Sequence, residues 1–411
     1  MLLAVAAAEI GARALAPRSE AIEPAAVDLR SYFSEEEIAR GRRFSRPQLA
    51  LALARASVEG GALAYAVRRR PTALRRLGRW PVVGGAVAGA ALTTALSAPP
   101  LPLAALARRR AIKVGLVTQS WRGWGVDLVK QTGIGAALAG VGGAGAVSAM
   151  RRWPRSWWAP AGGGSVAFGA VLAAVAPVVL DPIFNKFEPL PEGETRADVL
   201  DLARRAGVNV GEVYSIDASR RTTAANAYVT GLGPTKRVVL FDTLLDRYSR
   251  DEIRLVVAHE LAHVRHRDVA RGVVYAVLVA PAAAFAVQRL SWALSPERGT
   301  PAALPAVALA AAVVTAPLGL ISNRMSRAIE RRADTFALKL AGAPEAFVSF
   351  ERAIALQNVA DIEPPQWVQT VLATHPSPAQ RIGTALAYAN KAGEAGPIDQ
   401  SSSSSSASSD S

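Results

Sequence analysis

The chain has 411 residues, 51% of them hydrophobic and only 19% charged, and a formal net charge of +14. A block of about 20 apolar residues is long enough to cross a bilayer core as a helix, and several such blocks occur here, so the chain reads as a membrane protein rather than as two or three soluble domains. The absence of cysteine excludes disulfides and thiolate metal ligands. The arginines cluster at the ends of apolar blocks, as membrane-flanking charges do, and no zinc-finger, RNA-binding or basic-heptad spacing occurs, which argues against a nucleic-acid partner.

Residues 1–15 have the character of a signal peptide or a shortened first span, interrupted by Glu9 and Arg13. A polar stretch over 16–46 follows, with an acidic patch at Ser34 to Glu37. Candidate spans come next at about 47–67, 81–106, 132–150 and 159–180, rich in the small residues that let membrane helices approach closely. In the first of these, Arg55 and Glu59 are four residues apart on one helix face, where an interior or a watery cavity would receive them; a weak interfacial helix is the alternative. The composition turns polar over 181–270, with β-rich runs at Glu212–Ile216 and Lys236–Phe241. Ser249-Arg250-Asp251-Glu252 is a capping box that opens a helix through His259 and His263. Two more apolar segments, about 272–288 and 301–321, precede a second polar helical region in which Ser377-Pro378-Ala379-Gln380 starts a helix.

These shifts divide the chain into an N-terminal transmembrane region (1–180), a first mixed polar part (181–270), a transmembrane hairpin (271–321), a second polar part (322–395) and a disordered serine-rich tail (396–411). The expected fold is mainly α and integral to the membrane, with about six to seven transmembrane helices and an α+β polar domain split by the hairpin. An even number of spans between the two polar parts puts both on one side. A slight excess of Lys and Arg in the loops on that side favours the cytoplasm.

The chemistry is carried by His259-Glu260-Leu261-Ala262-His263. On a helix, residues four apart share a face, so the two imidazoles can grip one zinc ion while Glu260 serves as general base toward a water. Glu330 is the candidate third ligand. Asp334, one turn on, would hydrogen-bond a ligating imidazole and fix its tautomer. A solvated helix face is the alternative for this pair, since Arg327, Arg331 and Arg332 surround it. His266 lies too far along the helix to share the ion and reads as a helix-end residue near Asp268. His375 is placed to donate to a developing oxyanion, with Arg381 close by on the following helix; a surface loop histidine is the alternative.

Together these motifs resemble the type I CAAX prenyl proteases, multi-span membrane zinc endopeptidases of the gluzincin clan. The resemblance rests on HELAH at 259–263, on Ser326-Arg327 with Glu330 and Asp334, and on Thr374-His375-Pro376-Ser377 with Arg381-Ile382. It extends to Asn226-Ala227-Tyr228, Gly231-Leu232, the run from Lys236 to Leu245, Pro182 to Phe187, and Asp127 with Lys130. It implies a zincin-type α+β catalytic domain and a ring of spanning helices around a water-filled chamber. His259, His263 and Glu330 would hold one Zn2+ per chain, His375 and Arg381 would stabilise the transition state, and Asn226 and Ala227 would lie on an edge strand that pairs with the substrate backbone. The implied partners are the lipid bilayer and a peptide or protein substrate, prenylated or otherwise membrane-associated. Cleavage of damaged membrane proteins is the alternative within the same chemistry. A non-catalytic membrane scaffold and a transporter or channel are the readings outside it.

Overall fold

The structure, a computed structural model, describes residues 1–18, 21–231 and 236–394, with side chains through Lys391. The serine-rich tail and Leu232 lie outside the described residues. Four helices are long and apolar enough to cross a membrane: Trp121–Arg152, Trp158–Phe184, Asp268–Leu294 and Pro301–Ala341. Pro81–Ser97 and Leu101–Lys113, bent by 50°, make a fifth if they form one broken span. The architecture is thus mainly helical with several apolar helices, and six to seven spans are not found among the described residues by this measure.

Two segments account for the difference. The first run is a 14-residue helix, Leu2–Leu15, whose buried Ala4, Ala8, Gly11 and Ala12 form a small-residue stripe against the helices Asp268–Leu294 and Leu304–Ala341. Glu9, an interruption in the sequence, is satisfied there by Arg13 and Arg324, each 2.6 Å away. The expected 47–67 span is part of one 35-residue helix, Glu35–Arg69, started by the Ser34/Glu37 capping box. Its charges keep it out of the apolar set, and both Arg55 and Glu59 are exposed. Elsewhere close packing is built on glycine. A Cβ on Gly89 would meet the Ala139 carbonyl at 2.2 Å and one on Gly143 the Gly85 carbonyl at 2.3 Å, so Pro81–Ser97 and Trp121–Arg152 approach backbone to backbone.

The sheet has four strands: β1 (Phe187–Pro189), β2 (Glu212–Ile216), β3 (Ala227–Thr230) and β4 (Arg237–Phe241). Their order is β1-β2-β4-β3, with β2 and β4 parallel and the outer pairs antiparallel. The β-rich runs in the sequence are β2 and β4, while the short edge strands carry too few residues for a pattern. Val213, Ala227, Val238 and Leu240 form a core with Ile253, Val257 and Leu261, which seats the helix Arg250–Arg265 on one face of the sheet. That helix ends where Arg267 takes a left-handed φ of 55°, and Asp268–Leu294 begins at once. The return helix Leu304–Ala341 runs unbroken for 38 residues. The boundary expected at 321/322 therefore falls inside a single rod, which carries the apolar segment at one end and Glu330 and Asp334 at the other.

Candidate active site

The Ser249/Glu252 capping box closes both ways: Glu252 accepts from the Ser249 amide at 2.8 Å, and Ser249 Oγ from the Glu252 amide at 3.4 Å. With its apolar side on the sheet, the helix turns His259 and His263 toward Leu304–Ala341, where Glu330 waits. The Nε2 atoms of the two histidines are 3.3 Å apart. Glu330 Oε2 is 3.2 Å from His259 Nε2, and its Oε1 is 3.7 Å from His263 Nε2. Tetrahedral ligands at the usual zinc–nitrogen and zinc–oxygen lengths would be about 3.3 Å from one another. The three side chains therefore fit one ion with little rearrangement. They form a His-His-Glu group able to hold a metal.

Electrostatics agrees. Glu330 Oε2 is buried without an aligned hydrogen-bond partner among the described residues, and a buried carboxylate oxygen in that state calls for a cation. Burial pushes His259 down, but the Asp334 and Glu330 carboxylates outweigh it and raise the imidazole to about 10. The negative field that would hold a proton there favours a divalent ion in its place. Glu260 makes no hydrogen bond or ion pair among the described residues, and burial raises its carboxyl above the usual range. It is a free, strengthened proton acceptor next to the ligand group.

Each imidazole is backed by a carboxylate, and each carboxylate by an arginine. His259 Nδ1 lies 2.9 Å from Asp334 Oδ1, a close approach rather than an aligned hydrogen bond. His263 Nδ1 lies 3.0 Å from Asp268 Oδ2, leaving its Nε2 for a metal. The sequence placed Asp268 beside His266; the chain reversal at Arg267 swings it back under His263 instead. His266 contacts the Ala262 carbonyl at 2.9 Å and sets its ring edge-on to Phe336. Arg332, a surface charge by sequence, is buried against Asp268. Asp268→Asn should weaken metal affinity about 10–100-fold; competition with a chelator measures it, and an unchanged affinity would make Asp268 a bystander.

The Arg381 guanidinium lies behind His259: Nε and Nη2 reach Asp334 at 2.9 and 2.6 Å, and Nη1 reaches Glu351 at 2.6 Å. Two buried carboxylates share this one guanidinium. Removing one partner of such a cluster costs about 3–5 kcal/mol. Arg381→Gln should therefore lower the unfolding midpoint markedly, which thermal denaturation in detergent would register. Glu351 left no trace in the sequence, since its partner is distant in the chain.

His375 does reach the site, with Nδ1 2.9 Å from Glu330 Oε2 and a side chain 63% exposed. The turn before it is held by the long helix: Arg327 donates to the Thr370 and Ala373 carbonyls, and Asn323 to those of Val371 and Leu372. Thus Arg327, noted in the sequence only as a flanking charge, positions the histidine loop. Asn226 is exposed, Ala227 is buried, and both stand at the start of β3, an edge strand of the sheet. The helix carrying His259 packs beside it.

Comparison with known proteins bears on this arrangement. The model of peptidase family M48 matches residues 189–389. The protein named protease HtpX homolog from Aeropyrum pernix is 31% identical over 249 residues, 56% of this chain and 76% of the relative. The chain belongs to peptidase family M48. The match within M48 also takes in CAAX prenyl protease 1 of Saccharomyces cerevisiae, 43% identical over 105 residues, which are 25% of this chain and 23% of the yeast protein. Apart from the archaeal protein, the chain spans about half the length, or less, of the curated relatives it matches. A crystal structure of S. mikatae Ste24p superposes with a TM-score of 0.77 at 20% identity, covering 93% of this M48 chain and 97% of the other, a likeness of fold. The resemblance to CAAX prenyl proteases drawn from the motifs is thereby supported by relatives and by fold alike.

Proposed function

We propose that this chain is an integral-membrane zinc endopeptidase. The observation that carries the reading is the His259, His263 and Glu330 group with the unpaired Glu260 carboxylate beside it. His259, His263 and Glu330 would hold one Zn2+. When bound, zinc supplies Lewis-acid polarisation of a carbonyl and lowers the pKa of a water. Glu260 takes the proton from the attacking water and returns it to the leaving amine. His375 donates to the oxyanion that develops on the peptide carbonyl. The edge of β3 at Asn226 and Ala227 is placed to pair with the substrate backbone. Asp334 and Asp268, held by Arg381 and Arg332, keep the imidazoles oriented.

His375→Phe separates the donor role from metal binding. Turnover should fall about 10²–10³-fold with zinc content unchanged, and an unchanged turnover would return His375 to the surface loop.

The substrate reading rests on the yeast relative's name. A farnesylated CAAX peptide is the first substrate to offer the detergent-purified protein, with Glu260→Gln as control. Cleavage by wild type alone supports both the zinc chemistry and the prenyl specificity. Zinc binding without cleavage of that peptide would turn the search to unprenylated membrane proteins. That second reading has support of its own, because the archaeal relative, matched over more of its length, carries no CAAX specificity in its name. The catalytic side is proposed as cytoplasmic. The chain has no cysteine, so a single Glu192→Cys on an exposed side chain (93%) reports the side in intact cells. Labelling only from outside would reverse the orientation.

A further inference from the structure

We propose that a cleft on the far face of the sheet from the metal group binds a phosphate-bearing anion, with the headgroup of a bilayer phospholipid as its source. Strand alternation puts Arg237, Val239 and Phe241 on the face of β4 opposite Val238 and Leu240. The helix bearing His259 packs on the Val238 face. The cleft, of about 780 Å³, is lined from the other side, between the sheet and the ends of Trp121–Arg152 and Trp158–Phe184. It is therefore separate from the catalytic group. It also gathers sequence features that the peptidase chemistry leaves unused: Asp127 and Lys130, and the run from Pro182 to Phe187.

The charge in this cleft does not balance. Lys130, Lys186, Arg220, Arg221 and Arg237 line it against Asp127. Three cations have carboxylate partners: Arg221 with Asp127 at 2.8 Å, Arg220 with Asp217 at 3.2 Å and Lys186 with Glu188 at 2.6 Å. Lys130 and Arg237 have none in direct contact among the described residues. Lys130 donates to the Ile183 carbonyl at 3.0 Å, and Arg237 to the Pro177 carbonyl at 2.9 Å. Arg237 also lies over the rings of Phe187 and Tyr214. Carbonyls and ring faces satisfy donors but carry no net charge, so Arg237 is left without an ion-pair partner among the described residues and Lys130 shares Asp127 with Arg221. Ser120 and Gly123, at the start of the 32-residue helix, also line the cleft, and the helix dipole adds to the positive potential.

The rim identifies the source of the anion. Val126 and Ile183 line the cleft and are 55% and 40% exposed, and Val129 beside them is 72% exposed. Cationic side chains beside exposed apolar ones, at the end of helices long enough to span, match a headgroup with its acyl chains. The inference rests on the bilayer reading of those helices and is independent of the metal chemistry.

The test is native mass spectrometry of the full-length, detergent-purified protein titrated with phosphatidylglycerol, with phosphatidylcholine and with inorganic phosphate. Wild type should retain phosphatidylglycerol over phosphatidylcholine. Lys130→Gln combined with Arg237→Gln should weaken that binding about ten- to hundred-fold, with metal content per chain unchanged as the sign of an intact fold. Lys130→Gln alone leaves the Arg237 contacts in place should the double variant fail to fold, and Lys130→Arg should restore binding. Inorganic phosphate that binds wild type and is lost in the variants, without lipid preference, supports the anion site and assigns it to a free ion. Equal binding by wild type and variants, or no preference for the anionic lipid together with no phosphate binding, overturns the site. A chain that stays soluble without detergent would defeat the bilayer reading, and the phosphate titration would still report on the cleft.

Discussion

Glu260→Gln is expected to bind metal as wild type does and to lose about 10²–10⁴-fold in turnover. The geometry separates these two outcomes. Glu260 lies beside the ligand group but outside it, so an amide in its place removes no ligand. It makes no hydrogen bond or ion pair among the described residues, so the substitution breaks no structural contact. What disappears is the carboxylate, and with its charge the capacity to take a proton. Burial, which raises the Glu260 carboxyl, makes that capacity greater than an ordinary carboxylate's. Metal content per chain and single-turnover cleavage, measured on one preparation, decide the matter. Full activity would mean that another group accepts the proton and that the assignment is mistaken. Parallel loss of metal and activity would make Glu260 a structural element.

How much of this was legible beforehand depended on whether the signal was local. The helix starts at Ser249 and Ser377 are local signals, and both are formed as the spacing predicts. The β-rich runs that form β2 and β4 and the i, i+4 spacing of His259 and His263 are local too. The partner of each histidine was harder. Asp334 follows from its one-turn offset from Glu330, because both lie on one helix. Asp268 does not, because its position depends on a backbone reversal at Arg267, a non-glycine residue with nothing in its identity to announce a positive φ. The partners of Arg381, Arg332 and Glu351 lie on other helices, at separations that no local pattern reports. Charges that looked like a solvated face were buried counter-ions. The spans show the same limit. Apolar length identifies a helix, but Arg55 and Glu59 in Glu35–Arg69 and the shortness of Leu2–Leu15 leave composition unable to say which helices cross. The continuity of Leu304–Ala341 was hidden for a related reason: a change of hydropathy at about 321 marks a change of surroundings and not the end of a helix.

That continuity bears on the second large effect, the loss of metal in Glu330→Ala. Glu330 is held rigidly, on a helix anchored by its apolar half, and its two oxygens face both histidines at 3.2 and 3.7 Å. Without it, His259 and His263 would be left as two neutral ligands, and the negative field that favours a cation would lose its nearest source. Metal affinity should fall by more than the about 10–100-fold expected for an outer carboxylate such as Asp268, enough for dialysis against a chelator to strip the protein. Glu330→Gln, which keeps the shape and one carbonyl oxygen but drops the charge, should fall between wild type and Glu330→Ala. This ordering discriminates between roles. A purely structural Glu330 would lose stability in both variants and leave the metal content of the folded fraction unchanged, whereas a ligand loses metal in proportion to the donor removed. Full zinc occupancy in folded Glu330→Ala would remove Glu330 from the ligand set. The third donor would then have to come from the neighbouring groups, His375 first among them because its Nδ1 already lies 2.9 Å from the oxygen that Glu330 offers.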